Sequence, residues 1–146
     1  MNFLNKLVKL DISLVLKKLV PVLESHERVE GAYIFGSILE ECRADSDIDV
    51  GIILTPKISY SEKDVELIIA EINEGLSPIN KHHFDLVILN HTSAIFAYKV
   101  ISQGCLVYER NHDLITDFIE IVSRKRSENY PRYRQALESI CRGKQR

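Results

Sequence analysis

Apolar residues follow two different spacings along this chain, and the two spacings predict alternating helices and strands. Between Leu4 and Leu19 they recur every three or four positions, which is the stripe of an amphipathic helix, and Pro21 should end or kink that helix. Further helices are predicted over residues 38–41 with Ser37 as the cap, 61–73, 93–103, and from 111 to the Tyr130-Pro131 step. We expect the buried face of the 61–73 helix to consist of Val65, Leu67, Ile68, Ile69 and Ile72.

Four short runs rich in branched and aromatic residues predict strands between these helices. They are "VEGAYIFG" (29–36), "DIDVGIILT" (47–55), "HHFDLVILN" (82–90) and "CLVYER" (105–110). The order of elements predicts an α/β (α+β) fold with a single mixed β-sheet of about four strands covered by helices. The length of 146 residues suits one domain, 1–146, and the chain lacks both the GxGxxG loop and the Walker A loop.

The charge of the chain is divided unevenly, although the composition is that of an ordinary globular protein. Residues 123–146 hold eight basic and two acidic side chains, a net charge of +6, which leaves −8 for residues 1–122. This basic C-terminal tail is either a solvated helix or a docking surface for an acidic protein or nucleic acid, so RNA stays open as a ligand or acceptor. The sequence alone does not decide between these interpretations.

The cysteines and the N-terminal segment indicate the cellular compartment of the protein. Cys42, Cys105 and Cys141 are far apart, with no CxxC pair and no zinc-site spacing, so we interpret them as reduced thiols in a cytosol. Lysines and an aspartate interrupt the first 20 residues, which therefore offer neither a signal peptide nor a membrane span. We expect a soluble, cytoplasmic protein with no membrane partner.

Two aspartates stand on one face of the strand predicted at 47–55. Side chains alternate along a strand, so Asp47, Asp49 and Gly51 share one face, while the opposite face is apolar. Two neighbouring anions without a cation repel and raise each other's pKa. Mg²⁺ relieves this repulsion because it prefers carboxylate and phosphate oxygens. The alternative interpretation is a strand edge whose aspartates simply face water.

Two further features favour the metal-binding interpretation. Gly36 lets the backbone approach a phosphate closely, Ser37 adds a hydroxyl, and a helix N-terminus after them would favour an anion. Asp85 is a lone carboxylate among apolar neighbours on the next strand, where burial without a partner is costly. Three carboxylates that converge on two metal ions would stabilise it and would make a phosphoryl- or nucleotidyl-transfer site.

The segments "FGS", "SDIDV" and "FDLVIL" together resemble the polymerase-β-type nucleotidyltransferase superfamily and its small members, the minimal nucleotidyltransferases (MNT). The similarity spans roughly residues 29–110. It implies that Gly36 and Ser37 hold the triphosphate of ATP and that Asp47 and Asp49 bind two Mg²⁺ ions. It also implies that Asp85 is the third metal ligand and the base that deprotonates the acceptor hydroxyl.

The resemblance also implies a biological role. Many MNT proteins of this length are MntA-like antitoxins encoded beside a HEPN-type RNase toxin, and they are implied to transfer AMP from ATP to a tyrosine of that toxin. Some only bind the toxin. This chain departs from the family pattern after Ser37, where "ILEE" replaces the common Arg-Gly and places Glu40 and Glu41 near the expected triphosphate.

Two alternatives therefore stay open beside AMP transfer to a toxin. One is a non-catalytic antitoxin that neutralises its toxin by binding, and the other is a nucleotidyltransferase acting on a small molecule such as an aminoglycoside, or on RNA. The absence of a second, acceptor-binding domain in 146 residues argues against the small molecule. The sequence leaves open the base preference and the number of subunits. His82 and His83 lack further metal ligands at a suitable spacing, so we interpret them as strand-edge residues.

Overall fold

The structure is a computed structural model that describes the backbone of residues 7–36, 41–43 and 46–144, and the side chains of residues 9–36 and 46–128. Within these ranges, helices and strands alternate along most of the chain. In chain order the elements are β1 (Leu7–Lys9), α1 (Ile12–Glu24), β2 (Val29–Phe35), β3 (Glu41–Arg43), β4 (Ile48–Leu54), α2 (Glu62–Glu74), β5 (Phe84–Ile88), α3 (Ala94–Gln103), β6 (Cys105–Glu109) and α4 (His112–Lys144).

The main sheet of the described chain has four strands in the order β5-β4-β2-β6. Strand β2 pairs antiparallel with β4 and β6, whereas β4 and β5 are parallel, so the sheet is mixed as predicted. The short strands β1 and β3 form a separate antiparallel pair. The expected α+β fold with a mixed four-stranded sheet is confirmed.

Both faces of the main sheet are covered by helices, and strand β4 lies in the middle of the resulting core. Helices α1 and α2 cover one face through residues such as Leu19 and Ile72, which pack with Ile52 of β4. Helices α3 and α4 cover the other face, where Val100 packs with Ile53. Strand β4 is buried on both sides from residue 50 to residue 54, and this burial holds the first residues of the strand at a fixed place in the sheet.

Polar caps begin three of the helices where the apolar pattern starts. Asp11 accepts a hydrogen bond from the backbone N–H of Ser13 at 3.0 Å at the start of α1. Ser61 and Asp64 form a reciprocal capping box at the start of α2, each side chain accepting from the other residue's backbone N–H. Ser93 likewise accepts from the N–H of Phe96 at the start of α3.

The N-terminal helix is shorter than its apolar spacing predicts. Residues Leu7–Lys9 form β1, which pairs with β3, and α1 begins only at Ile12 after the Asp11 cap. The helix predicted over 38–41 lies mostly outside the described residues, but Glu41, its last residue, is the first residue of β3. Pairing between segments distant in sequence overrides the local helical spacing at residues 7–9 and at Glu41.

The sequence predicts that Pro21 ends or kinks α1 and that the Tyr130-Pro131 step interrupts α4, but neither proline ends its helix. Helix α1 continues through Pro21 to Glu24, and α4 continues through Pro131 to Lys144. Proline keeps a helical φ and forfeits one backbone hydrogen bond, and in α1 the fully buried Leu19 and Leu23 on either side offset that loss. The buried face predicted for α2 is also wrong at Leu67, which is 59% exposed. Val65, Ile68 and Ile72 form the buried face of the helix, and Leu67 lies on the opposite face.

No helix in the described part of the chain combines the length and the apolar character that a membrane crossing requires.

Candidate active site

Two of the predicted carboxylates meet at one end of the sheet. The parallel pairing of β4 and β5 places Asp49 directly opposite Asp85. Directly paired residues project to the same face of a sheet, so these two side chains are neighbours although they are 36 positions apart in the chain. Asp49 is half-buried and Asp85 is exposed.

The surroundings of Asp49 oppose its negative charge. Partial burial raises the pKa of its carboxyl, and repulsion from Asp85 and then from Asp47 raises it further. A hydrogen bond with Asp85 favours the protonated form as well. A positive charge placed beside Asp49 and Asp85 would therefore favour the ionised form of Asp49.

Gly36 closes the site on the side of β2. It follows the last residue of β2 with a φ of +82°, a left-handed conformation that glycine adopts without strain. A Cβ at this position would overlap Oδ2 of Asp49, so a side chain here would displace the Asp49 carboxylate as well as strain the backbone. Ser37, the other predicted phosphate-binding residue, lies outside the described residues, as does Glu40; the side chain of Glu41 does too.

Asp47 lies beside the carboxylate pair rather than within it. It precedes the first residue of β4, is exposed, and is near enough for its charge to affect the pKa of Asp49. Among the side chains described, no three from His, Cys, Asp and Glu come close enough together to hold one metal ion. The structure thus brings Asp49 and Asp85 together and leaves Asp47 next to them.

The carboxylates present nonetheless fit Mg²⁺. This ion is commonly bound by one or two protein carboxylates, with water and substrate phosphates completing its shell. Asp49 and Asp85 supply two such carboxylates, and burial followed by repulsion from Asp85 raises the pKa of Asp49. The chemistry of the donors therefore suits a hard divalent cation bound together with a phosphate.

The expectation that Asp85 is buried is wrong. Strand β5 is at the edge of the described sheet, so Asp85 near its start is open to solvent, whereas Leu89 beyond its end is fully covered. The exposure leaves one side of the carboxylate pair accessible to a second molecule.

Two features near the site were not predicted from the sequence. The rings of Phe35 and Phe96 pack edge to face with centroids 5.9 Å apart, next to Asp49 because Phe35 pairs with it across the sheet. His82, interpreted as a strand-edge residue, is only 3% exposed, and its Nδ1 donates to the carbonyl oxygen of Ser46 at 2.7 Å. In the sequence, the only sign of this buried hydrogen bond is the position of His82 just before a strand.

For the basic tail, the structure describes side chains up to residue 128 and only the backbone from there to residue 144. Helix α4 runs to Lys144, and its described side chains include Arg126, whose guanidinium lies 4.4 Å from the centroid of the Tyr98 ring on α3. This contact ties α4 to α3 at the point where the basic stretch begins. Arg124 and Lys125 beside it are exposed.

Several solved structures that share this fold are chains of toxin–antitoxin complexes. A chain of the MntA–HepT complex superposes with a TM-score of 0.57 at 16% identity, covering 92% of this chain and 99% of that one. A chain of a toxin–antitoxin complex with AMP-PNP gives 0.58 at 17%, covering 90% and 98%. A chain of the complex between the tri-AMPylated HEPN toxin and the MNT antitoxin of Shewanella oneidensis gives 0.55 at 16%, covering 86% and 98%. At these identities the likeness establishes the shared fold.

A comparison with curated proteins gives no match. A family model described as polymerase beta, nucleotidyltransferase matches residues 17–113, which is more than half of the chain and includes every predicted site residue. The expected polymerase-β-like fold and nucleotidyltransferase class are confirmed by this match. The chain belongs to the polymerase beta nucleotidyltransferase family.

Proposed function

We propose that this protein is a Mg²⁺-dependent nucleotidyltransferase that transfers AMP from ATP to a tyrosine hydroxyl of a HEPN-type toxin, and that it acts as the antitoxin. The observation that carries the proposal is the pairing of Asp49 with Asp85 beside the left-handed Gly36 in a member of this family. The solved neighbours support it, since they include a complex with an ATP analogue and one with an AMPylated toxin.

Each predicted site residue has a role in this proposal. Gly36 and Ser37 hold the triphosphate, and Asp47, Asp49 and Asp85 provide the carboxylates for Mg²⁺. When bound, the metal neutralises phosphate charge and favours ionisation of the acceptor hydroxyl. The acceptor oxygen attacks the α-phosphorus, its bond to phosphorus forms, the bond to the β-phosphate oxygen breaks, and pyrophosphate leaves. Asp85 takes the proton of the acceptor hydroxyl.

The exposure of Asp85 supports a macromolecular acceptor. This carboxylate lies on the edge strand of the described sheet, where a tyrosine presented by another protein can reach it. In this proposal residues 1–146 form one minimal nucleotidyltransferase domain. The basic tail, residues 123–146, extends from it as a helix that is available to an acidic partner.

The test is AMP transfer to the HEPN-type protein encoded beside this one. The two proteins are co-expressed and the partner is weighed by intact-mass spectrometry, with wild type, Asp49→Asn, and the control Glu120→Gln, an exposed acid on α4. A partner heavier by one or more AMP units with wild type and Glu120→Gln, but not with Asp49→Asn, supports the proposal. A partner of unchanged mass in all three samples refutes AMP transfer.

A non-catalytic antitoxin is the second candidate. It is favoured by the "ILEE" segment after Ser37, where Glu40 and Glu41 put negative charge near the expected triphosphate. A double variant Asp47→Ala, Asp49→Ala that protects cells from the toxin as fully as wild type, while co-purifying with an unmodified partner, would support neutralisation by binding. Loss of protection in the double variant, with binding retained, supports AMP transfer.

A further inference from the structure

A buried histidine holds the segment that carries Asp47. His82 is 3% exposed, and its Nδ1 lies 2.7 Å from the carbonyl oxygen of Ser46, the residue before Asp47. A carbonyl oxygen only accepts hydrogen bonds, so the proton of the imidazole must be on Nδ1 at this contact. The hydrogen bond fixes the peptide group that leads directly into Asp47.

His82 is itself held by a tight turn. Its backbone exchanges two hydrogen bonds with Ile79, at 2.9 and 3.0 Å, and Asn80 between them has a φ of +55°. Asparagine is one of the few residues that adopts this left-handed conformation readily. The imidazole therefore projects from a short closed hairpin rather than from a free loop.

A second hydrogen bond fixes the other side of Asp47. The backbone N–H of Ile48 donates to the carbonyl oxygen of His83 at 2.7 Å. The residues before and after Asp47 are thus both bound to the His82-His83 step. Asp47 itself is exposed and lies in no regular element, so these two contacts restrict its backbone where no helix or strand does.

We propose that His82 is a positioning residue for nucleotidyl transfer: by fixing the Ser46 carbonyl it aims the Asp47 carboxylate towards the Asp49–Asp85 pair. This inference rests on the proposed function. His82 touches neither substrate nor metal in this role. Replacing a residue that orients a metal ligand from outside the coordination shell typically lowers metal affinity or activity by about 10- to 100-fold.

The test compares three substitutions. His82→Leu removes the donor with a similar volume, His82→Asn places an amide N–H near the position of Nδ1, and His83→Leu makes the same change at an exposed neighbour. For His82→Leu we expect kcat for AMP transfer to fall about 10- to 100-fold with KM for ATP little changed. His82→Asn should recover most of the rate, and His83→Leu should behave as wild type.

A second readout does not depend on turnover. The unfolding temperature is measured with AMP-PNP while Mg²⁺ is titrated, and His82→Leu should need about 10-fold more Mg²⁺ for the half-maximal rise. If His82→Leu does not fold, His82→Asn is compared with His82→Gln, whose longer side chain cannot put its amide at the Nδ1 position. His82→Gln should then show the losses and His82→Asn should not.

The outcomes separate this inference from the proposed function. A folded His82→Leu with the kcat and the Mg²⁺ requirement of wild type overturns the inference alone, as do equal values for His82→Asn and His82→Gln. A wild-type protein that neither transfers AMP nor is stabilised by Mg²⁺ with AMP-PNP overturns the proposed function, and the inference with it.

Discussion

At the scale of single residues, the carboxylate pair destabilises the folded protein when Asp49 is ionised. Asp49 is partly buried beside Asp85 and near Asp47, and each of these features raises the pKa of Asp49. Its ionised form is therefore less favourable in the folded chain than in the unfolded one. Such an arrangement is retained at functional sites, where a ligand supplies the missing charge.

Replacement of Asp49 by Asn is therefore expected to stabilise the ligand-free protein at pH 7, because it removes the repelled charge and keeps the shape. The pKa of Asp49 is higher in the folded than in the unfolded state, so wild type loses stability as pH rises through the ordinary aspartate value of 3.8 towards the raised value. The advantage of Asp49→Asn should thus be absent below that value and grow as pH rises. Thermal unfolding in a chelating buffer across this range measures it.

The control for that experiment is Glu120→Gln, which removes a charge from an exposed position on α4. Its unfolding temperature should follow that of wild type at every pH. An Asp49→Asn protein that unfolds below wild type at pH 7 contradicts the prediction, because the Asp49 carboxylate would then be stabilised by its surroundings.

At the scale of elements, the local sequence pattern predicted most helices and strands. It did not predict the features that depend on contacts between segments distant in sequence. Capping residues and apolar spacing predicted α2 and α3 closely, and the four core strands were recognised from branched residues. The β1–β3 pairing was missed because it joins residues 7–9 to residues 41–43, which no local spacing reveals. The continuation of α1 through Pro21 depends on tertiary burial, which also lies beyond local pattern.

The site was predictable to a similar extent. Alternation along a strand placed Asp49, but the prediction that Asp47 lies on the same strand is wrong, because β4 begins only at Ile48. The neighbour of Asp49 depends on the parallel register of β4 and β5, which aligns it with Asp85. The exposure of Asp85 follows from the edge position of β5 in the described sheet, and strand order cannot be read from the segment itself. The hydrogen bond from His82 to Ser46 needs a loop closure across 36 positions.

One arginine joins two elements at the end of the sheet opposite the site. Arg110, directly after β6, donates from its guanidinium to the carbonyl oxygens of Glu24 at 2.6 Å and Glu27 at 2.8 Å, and from Nε to the hydroxyl of Tyr108 at 3.1 Å. A cation is favourable at the C-terminus of α1, where the last carbonyl groups lack helical partners. This contact connects α1 to β6 without approaching the carboxylate pair.

Arg110→Met should therefore lower the free energy of unfolding by about 1–3 kcal/mol while leaving kcat unchanged, since it removes hydrogen bonds to a charged donor far from the site. Arg110→Lys should recover only part of the loss, because one ammonium group cannot reproduce the spread of the guanidinium donors. Urea unfolding monitored by circular dichroism gives the first quantity, and an AMP-transfer assay gives the second. Unchanged stability in Arg110→Met contradicts the prediction.

At the scale of the whole molecule, the site lies where both halves of the core meet. Strand β4 is fully buried from residue 52 to residue 54 between the α1–α2 layer and the α3–α4 layer, and its first residues carry the carboxylate. A ligand that holds the start of β4 in place therefore opposes the loss of either layer. Binding at this site should stabilise the whole fold rather than one loop.

This coupling predicts a metal- and nucleotide-dependent stability. At 100 times its dissociation constant, a ligand that binds only the folded state raises the free energy of unfolding by about 2.7 kcal/mol. Mg²⁺ with AMP-PNP should produce a rise of that size in wild type, and chelation of Mg²⁺ should remove most of it, because phosphates approaching unneutralised Asp49 and Asp85 are repelled. In Asp49→Asn the rise should be largely lost, although the ligand-free variant begins from the higher stability predicted above. An equal rise in wild type and Asp49→Asn would mean that the nucleotide binds elsewhere, since Asp49 is the proposed Mg²⁺ ligand within β4.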